Sequence, residues 1–411
     1  MTGSNDVVVT GLGATTPLGG DVASTWDALL AGHSGVKSLV GGFAEKFDLP
    51  VRIAAPLAVE PTEVLPRVEA RRLDRSEQVA VVAAREAWAD AGFGEDDVDP
   101  ERLGVVIGTG IGGAMTLLEQ DDLIEASGLR KVSPLTVPML MPNGPAAHVG
   151  LELKARAGVH APVSACASGS EALAWAFRML KSGEADVVVA GGAEACITTI
   201  TMAGFIQART LSSRNDEPQR ASRPFDVNRD GFVLGEGAGI VVLEREDFAR
   251  ARGARIYGKL AGIGMSSDAH HITAADPEGI GQSRAITKAL RSAGVDPTDI
   301  GHVNCHATST KVGDVIEPQA VRRAIGDHPV LTAPKGNHGH MLGASGAVAA
   351  ITTLLSVRDG IVPPTLNLED QDPRVQLEVV TGEPRKVDLI AAVNNSFGFG
   401  GHNVSLVFTQ A

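Results

Sequence analysis

The run Ala87-Trp-Ala-Asp-Ala-Gly92, with Asp99-Pro-Glu-Arg-Leu-Gly-Val-Val106 after it, recurs in altered form as Ala289-Leu-Arg-Ser-Ala-Gly294 and Asp296-Pro-Thr-Asp-Ile-Gly-His-Val303. The offset is about 200 residues, half the chain. In each copy a helical segment stops at Ala-Gly, a proline opens a turn, and an apolar run follows, as expected for a helix that feeds a buried strand. A chain that does this twice is constrained to a layered, duplicated α/β fold rather than to independent domains. No Pro/Ser/Gly-rich linker separates the copies, which are taken as residues 1–250 and 251–411.

The remaining pattern fits that frame. Strands are expected at Asp6–Gly13, Leu103–Gly108, Asp186–Gly192, Gly239–Glu244, Ile256–Gly264 and His302–His306. Helices are expected at Ser24–Gly32, Asp74–Gly92, Glu171–Leu180, Ile286–Gly294 and Leu342–Val357. Residues 36–66 and 204–231 carry few regular signals, and 112–160 read as helix and loop.

Cys166 sits between Ala161-Pro162-Val163, read as the end of a short strand, and the helix from Glu171. A helix start presents free N–H groups and the positive end of the dipole, both of which favour a thiolate. Small neighbours, Ala165, Ala167, Ser168 and Gly169, leave room for a substrate. Free cysteines are also among the most buried and inert residues, so this setting alone leaves nucleophile and buried thiol both open. The segment Ala333–Val357 is its counterpart in the second half.

Gly108-Thr-Gly110-Ile-Gly-Gly113 matches a dinucleotide fingerprint on paper. The acidic residue that should follow at the end of a second strand is missing, since Asp121, Asp122 and Glu125 fall in a helical stretch. The glycines equally suit a close backbone approach without a cofactor, and no cofactor is expected.

A net charge of −13 and 4% aromatic content argue against a nucleic-acid partner. Three cysteines in 411 residues do not make a disulfide framework, which points to a reducing compartment. The N-terminus shows no signal peptide, and no apolar run reaches the roughly 18 residues of a membrane span. A cytoplasmic enzyme with no membrane association is the expectation.

Two histidine elements complete the chemistry. His306-Ala-Thr-Ser-Thr310 follows a strand, and Lys335-Gly-Asn-His-Gly-His340 precedes a helix, where spacing does not separate His338 from His340. A cysteine with two histidines suits a cysteine hydrolase. It also suits carbon–carbon bond formation on a thioester, with neutral imidazoles donating to an enolate oxygen. A zinc site is disfavoured, since no C-x-x-C pair accompanies the histidines.

With these motifs the chain resembles the β-ketoacyl-(acyl carrier protein) synthases of the thiolase superfamily, most closely the elongating type II enzymes, in actinobacterial style. The resemblance rests on Val163-Ser-Ala-Cys-Ala-Ser-Gly169, Ser222 through Ala238, Ser266-Ser-Asp-Ala-His-His271, His306 through Thr310, Lys335 through His340, and Asn395-Ser-Phe-Gly-Phe-Gly-Gly401. It implies a thiolase-like, five-layer αβαβα architecture of duplicated halves. It implies a decarboxylative condensation between an acyl group on Cys166 and a malonyl group on acyl carrier protein. His306 and His340 would stabilise the enolate, which selects His340 over His338, and Lys335 would support them. The N–H groups of Cys166 and Phe399 would form an oxyanion hole, with Phe399 also a gatekeeper. Thr273, Thr310 and Phe397 would contact substrate, and Ile111 would end the acyl pocket at a dimer interface. A homodimer is implied, as is a carrier-protein dock made of Arg67, Arg71, Arg72, Arg130, Lys131 and Arg209.

One departure stands out. The family's usual glutamate is replaced by Ala349, which leaves Asp314 or Glu317 to balance Lys335. It also weakens a monovalent-ion site that the resemblance places near Asn304, Glu317, Asn394 and Asn395; no metal is required. Gly336, Asn337 and Pro318 also differ from common family residues. The alternative reading is therefore a specialised paralogue, with weak or no condensing activity, that binds acyl chains or carrier protein or substitutes under inhibition. A thiolase would want a second cysteine in the C-terminal glycine loop, and none lies beyond Cys305.

Overall fold

A computed structural model describes residues 6–94 and 97–411. The first half contributes β1 (Val7–Thr15), β2 (Leu103–Gly108), β3 (Gly158–His160), β4 (Val187–Glu194) and β5 (Gly237–Arg245). The second contributes β6 (Gly258–Ser267), β7 (Ile300–Asn304), β8 (Val330–Thr332), β9 (Ala391–Gly398) and β10 (His402–Thr409). In space the ten strands run β3-β2-β4-β5-β1-β6-β10-β9-β7-β8, so the second five repeat the order of the first about a central pseudo-twofold. The halves join where β1 pairs antiparallel with β6, Val8 opposite Lys259 and Val9 opposite Gly258.

Five helices build the other layers: α1 (Arg75–Asp90), α2 (Ser168–Ser182), α3 (Ile280–Ala293), α4 (Gly313–Ala324) and α5 (Ser345–Asp359). Val79, Ala83 and Ala87 of α1 pack on Val105, Val189 and Ile240, covering the outer face of the first half. Ile286 and Ala289 of α3, with Val321 of α4, cover the second on Val303, Val393 and Val407. Between the two sheet faces lie α2 and α5, with Leu173, Phe177, Ile351 and Leu354 against Leu12, Val188, Leu406 and Phe408. The result is the αβαβα sandwich implied by the resemblance. Burial of both sheet faces explains strands that read as continuous apolar runs.

The small residues have a geometric reason. A Cβ on Gly13 of β1 would lie 2.0 Å from the Ala83 carbonyl of α1. A Cβ on Gly264 of β6 would lie 2.0 Å from the Ala285 carbonyl of α3. Each outer helix therefore seats its backbone directly on a glycine of the innermost strand of its half.

The sequence repeat is the same three-part unit twice. α1 and α3 end, 3-10 turns follow at Pro100–Arg102 and Pro297–Asp299, and β2 and β7 begin at once. Asp99 and Asp296 cap the turns by accepting from the N–H of Glu101 and Thr298. Several boundaries differ from expectation, three of them as follows. β3 stops at His160, so Ala161–Val163 is not strand. α3 starts at Ile280, six residues before Ile286, because Gly281, Gln282 and Ser283 are also buried on its packed face. β7 ends at Asn304, because beyond it the N–H groups of His306 and Ala307 turn to the Glu317 carboxylate.

Candidate active site

Cys166 lies in a 3-10 turn, Ala165–Ala167, that runs straight into α2. Ala165 has φ +51°, a left-handed backbone that costs a non-glycine residue about 1–3 kcal/mol. Ser168 holds the turn, its hydroxyl donating to the Ala165 carbonyl at 2.7 Å and accepting from the Ser164 N–H at 2.9 Å. The second half repeats the device, with Leu342 at φ +41°, a 3-10 turn Leu342–Ala344 and α5 starting at Ser345. Gly343 thus occupies the place equivalent to Cys166, and there is one sulfur for two turns. The expected counterpart of the cysteine element is realised here.

Burial pushes the Cys166 thiol up to about 11, opposed by the Lys335 cation and by the N–H groups of Phe399 and of Cys166 itself. In the resting site desolvation therefore outweighs the stabilisation expected from a helix start. The Phe399 and Cys166 N–H groups face the same atom, a geometry able to hold an oxyanion formed at the sulfur. Gly398 makes this approach possible: a Cβ there would lie 2.5 Å from the Ser164 carbonyl.

His306 and His340 stand close together, ring centroids 5.5 Å apart and planes at 86°. Burial, and then the nearby Lys335 cation, hold both imidazoles well below their usual range, so both are neutral at pH 7. Nδ1 of His340 lies 3.0 Å from the Ser345 hydroxyl. Nδ1 of His306 has no partner among the described residues. His338 turns away and bonds the Gly339 carbonyl through its own Nδ1. Cys166, His306, His340, Thr273, Thr310, Phe397 and Phe399 all line one cavity of about 290 Å³. Its inner wall is Phe205, Phe232 and Leu342, with Phe232 edge-on to His340 at 5.3 Å.

The His306 loop is held by the first turn and a half of α4. Asp314 accepts from the N–H groups of Thr308, Ser309 and Thr310. Glu317 accepts from His306 and Ala307 at 2.8 Å and from the Asn395 side chain at 3.1 Å. Lys335 is buried behind the cavity and does not line it. Burial lowers it, and among its charged neighbours Glu317 acts first to raise it, ahead of Cys166 and Asp314. Of the two acids left to balance Lys335 in place of a glutamate at 349, Glu317 is the stronger partner. Ala349 instead receives the Asn304 side-chain amide on its carbonyl at 3.1 Å. Asn394 donates to the Gly346 carbonyl at 3.0 Å, and the side-chain oxygens of Asn304 and Asn394 are buried with no partner among the described residues.

The glycine fingerprint is filled from within the protein. The Glu194 carboxylate accepts from the N–H groups of Gly110, Ile111 and Gly112, the Thr109 hydroxyl and the N–H of Gly343. An anion-binding loop is present, and its anion is the chain's own. Ile111 is 40% exposed and lies outside the cavity lining. Arg67, Arg71, Arg72, Arg130, Lys131 and Arg209 are all exposed, and none lines the cavity. Arg209 lies just past Ala208, the C-cap of the helix Thr199–Gln207 that supplies Phe205.

Sequence reasoning missed Ser345, Glu194, Phe205 and Phe232. The first was legible as the equivalent of Ser168 once the repeat is aligned. Glu194 reaches its partners across more than eighty residues, and no local pattern marks it.

Two family models match the chain: Beta-ketoacyl synthase, N-terminal domain, over residues 4–249, and Beta-ketoacyl synthase, C-terminal domain, over 257–369. A 3-oxoacyl-(acyl-carrier-protein) synthase 2 of Mycobacterium tuberculosis is 49% identical over 404 residues, covering 98% of this chain and 96% of that one. The protein of the same name from Staphylococcus aureus is 42% identical over 414 residues, covering 100% and 99%. Among solved structures, a beta-ketoacyl synthase from Burkholderia phymatum superposes with TM-score 0.91 at 37% identity, covering 99% of both chains. A ketosynthase in complex with its type II PKS acyl-carrier protein gives TM-score 0.92 at 29% identity, covering 99% of this chain and 100% of that one.

Proposed function

This chain belongs to the β-ketoacyl synthase family, and we propose that it extends acyl chains by decarboxylative condensation on Cys166. It is a condensing acyltransferase that takes acyl and malonyl groups from acyl carrier protein, in fatty-acid or related polyketide synthesis. One observation supports the assignment of roles above others: two neutral imidazoles line the same cavity as a sulfur faced by two backbone N–H groups.

In the first half-reaction Cys166 attacks the carrier thioester as its thiolate, and the proton it gives up goes to the departing carrier sulfur. The N–H groups of Cys166 and Phe399 stabilise the tetrahedral oxyanion, and the carrier thiol leaves. In the second, the malonyl thioester sits with its carbonyl oxygen toward His306 and His340, while Thr273, Thr310 and Phe397 contact the bound group. Loss of CO₂ moves an electron pair onto that oxygen as an enolate. Two N–H donors in a dry cavity stabilise the charge, each being worth about 3–4 kcal/mol. The enolate carbon then attacks the acyl-Cys166 carbonyl, the oxyanion collapses, and the Cys166 thiolate is released from the β-ketoacyl product. Lys335, with Glu317, keeps positive charge behind the sulfur and the imidazoles.

The working unit in this reading is a cytoplasmic homodimer, each chain made of two halves that divide at 250/251. β3 is the outer strand of the first half, Val159 within it and Val163 after it are 41% and 53% exposed, and Ile111 is exposed nearby in sequence to the exposed apolar Leu117, Ile124 and Leu129. An unpaired edge flanked by apolar side chains is what a second copy would cover. No helix among the described residues is long and apolar enough to cross a membrane. The six exposed cations Arg67, Arg71, Arg72, Arg130, Lys131 and Arg209 are the proposed dock for the acidic carrier protein.

The test is intact-mass analysis after mixing the protein with acyl-carrier thioester. One acyl group should appear, mapped to Cys166, and malonyl-carrier should then discharge it as a β-ketoacyl-carrier product. A stable acyl adduct that malonyl-carrier never discharges would indicate an acyl binder instead.

A further inference from the structure

His306 and His340 are matched in place and in charge, yet they are not supported alike. Nδ1 of His306 has no partner among the described residues, whereas Nδ1 of His340 faces the Ser345 hydroxyl at 3.0 Å. Both His340 and Ser345 are buried, at 3% and 1% exposure. Ser345 opens α5 as Ser168 opens α2, so the two serines are equivalent through the pseudo-twofold. Ser168 spends its hydroxyl on backbone, donating to the carbonyls of Thr109 and Ala165. Ser345 makes no such bond; the His340 ring is the one side-chain hydrogen-bond partner it has among the described residues.

That difference fixes the proton. If Nδ1 carried hydrogen and donated to the hydroxyl oxygen, the buried Ser345 O–H would have no acceptor, at the full penalty of an unsatisfied donor. If the hydroxyl donates to a bare Nδ1, every proton in the pair is satisfied. The ring hydrogen then stands on Nε2, the nitrogen left to face the cavity that His340 lines.

We propose that Ser345 is a positioning residue that locks His340 in its Nε2–H tautomer, so that this ring enters the reaction already a donor to the malonyl thioester oxygen. His306, without such a partner, is left free to choose its tautomer when substrate binds. The step rests on the condensing reading above, but the tautomer itself is a property of the resting protein and can be read without turnover.

The experiment is ¹⁵N NMR of histidine-labelled protein at pH 7.5, with the His340 signals assigned by loss in His340→Gln. The expected wild-type result is a pyridine-type, hydrogen-bonded Nδ1 and a pyrrole-type Nε2 on His340. In Ser345→Ala the two forms should mix, and malonyl-carrier decarboxylation should fall about 3- to 10-fold in kcat with little change in KM. A protonated Nδ1 in the wild type overturns the proposal even if the variant fails to fold. So does a Ser345→Ala protein whose tautomer and kcat are both unchanged. A wild-type protein with the expected tautomer but no decarboxylation would leave the lock standing and count against the condensing reading instead.

Discussion

The ring of His306 stands at 86° to the ring of His340, with 5.5 Å between centroids. Edge-on placement lets two rings reach one small volume from different directions, which is what two donors to a single oxygen need. Neutrality matters as much as position. Burial and then Lys335 hold both rings far below their usual range, so neither takes up a proton at pH 7 and each keeps an N–H to give.

Replacing either ring by alanine is expected to lower malonyl decarboxylation about 10²- to 10³-fold, the usual loss for one oxyanion donor. Glutamine at 340, whose terminal amide reaches about as far as an imidazole Nε2, should retain part of the rate because the required group is a donor rather than a base. Steady-state CO₂ release measures both. If glutamine and alanine are equally slow, the ring acts in proton transfer instead.

The thiol gives a second test, in the empty enzyme. With burial holding Cys166 up to about 11 and Lys335 pulling it down, alkylation by iodoacetamide should accelerate about tenfold per pH unit between pH 7 and 10. Burial holds Lys335 down to about 8, so it is a cation only at the lower end of that range. Lys335→Met removes that charge, raises the thiol further, and should slow alkylation at pH 7 to 8, with the difference fading toward pH 10. Peptide mapping identifies the site, since burial holds Cys196 and Cys305 well above the usual thiol range and leaves them unreactive. A Lys335→Met protein that reacts as fast as wild type would remove the lysine from this role.

The repeat of Ala-Gly, proline and apolar run made the duplicated architecture legible, because each part is local: a helix stop, a turn and a strand within some twenty residues. The turn into a helix at Cys166 was legible for the same reason, and so was its echo at Leu342–Ala344, whereas the strand expected at Ala161–Val163 is absent. What the pattern did not carry was long-range. That Glu194 fills the glycine loop, that Glu317 holds the His306 backbone, and that Phe232 walls the cavity all depend on segments brought together by the sheet order. The reactivity of Cys166 was read from the helix start, whereas its resting state is set by desolvation, a property of the whole fold.

Charge at the cavity's surroundings is testable without touching the chemistry. Arg130 and Lys131 are exposed in a 3-10 turn after the helix Ala114–Ser127, and neither lines the cavity. Reversing both to glutamate should raise KM for carrier-linked substrates several-fold, most strongly at low salt, and leave small thioester substrates unaffected. Equal losses on both substrate types would argue against a dock at this turn.

His302 supplies a pH test of stability far from catalysis. It is fully buried in β7, neither ring nitrogen has a partner among the described residues, and burial pushes it down to about 3. Its unfolded value is about 6.5, so below that pH the unfolded chain binds a proton that the folded one refuses. Stability is therefore lost as pH falls from about 6.5 toward 3, at up to about 1.4 kcal/mol per unit, or about 2 kcal/mol by pH 5. Glu77, Glu86 and Asp314 act in the opposite sense, since burial raises them to about 8, 7 and 6 and the folded state binds their protons first. They are common to wild type and variant and cancel in the difference. His302→Leu removes both orphaned nitrogens, so urea unfolding at pH 7.5 and 5.0 should show the variant gaining about 2 kcal/mol on wild type between those two conditions. Parallel behaviour of the two proteins would mean that His302 is already charged in the fold, against its burial.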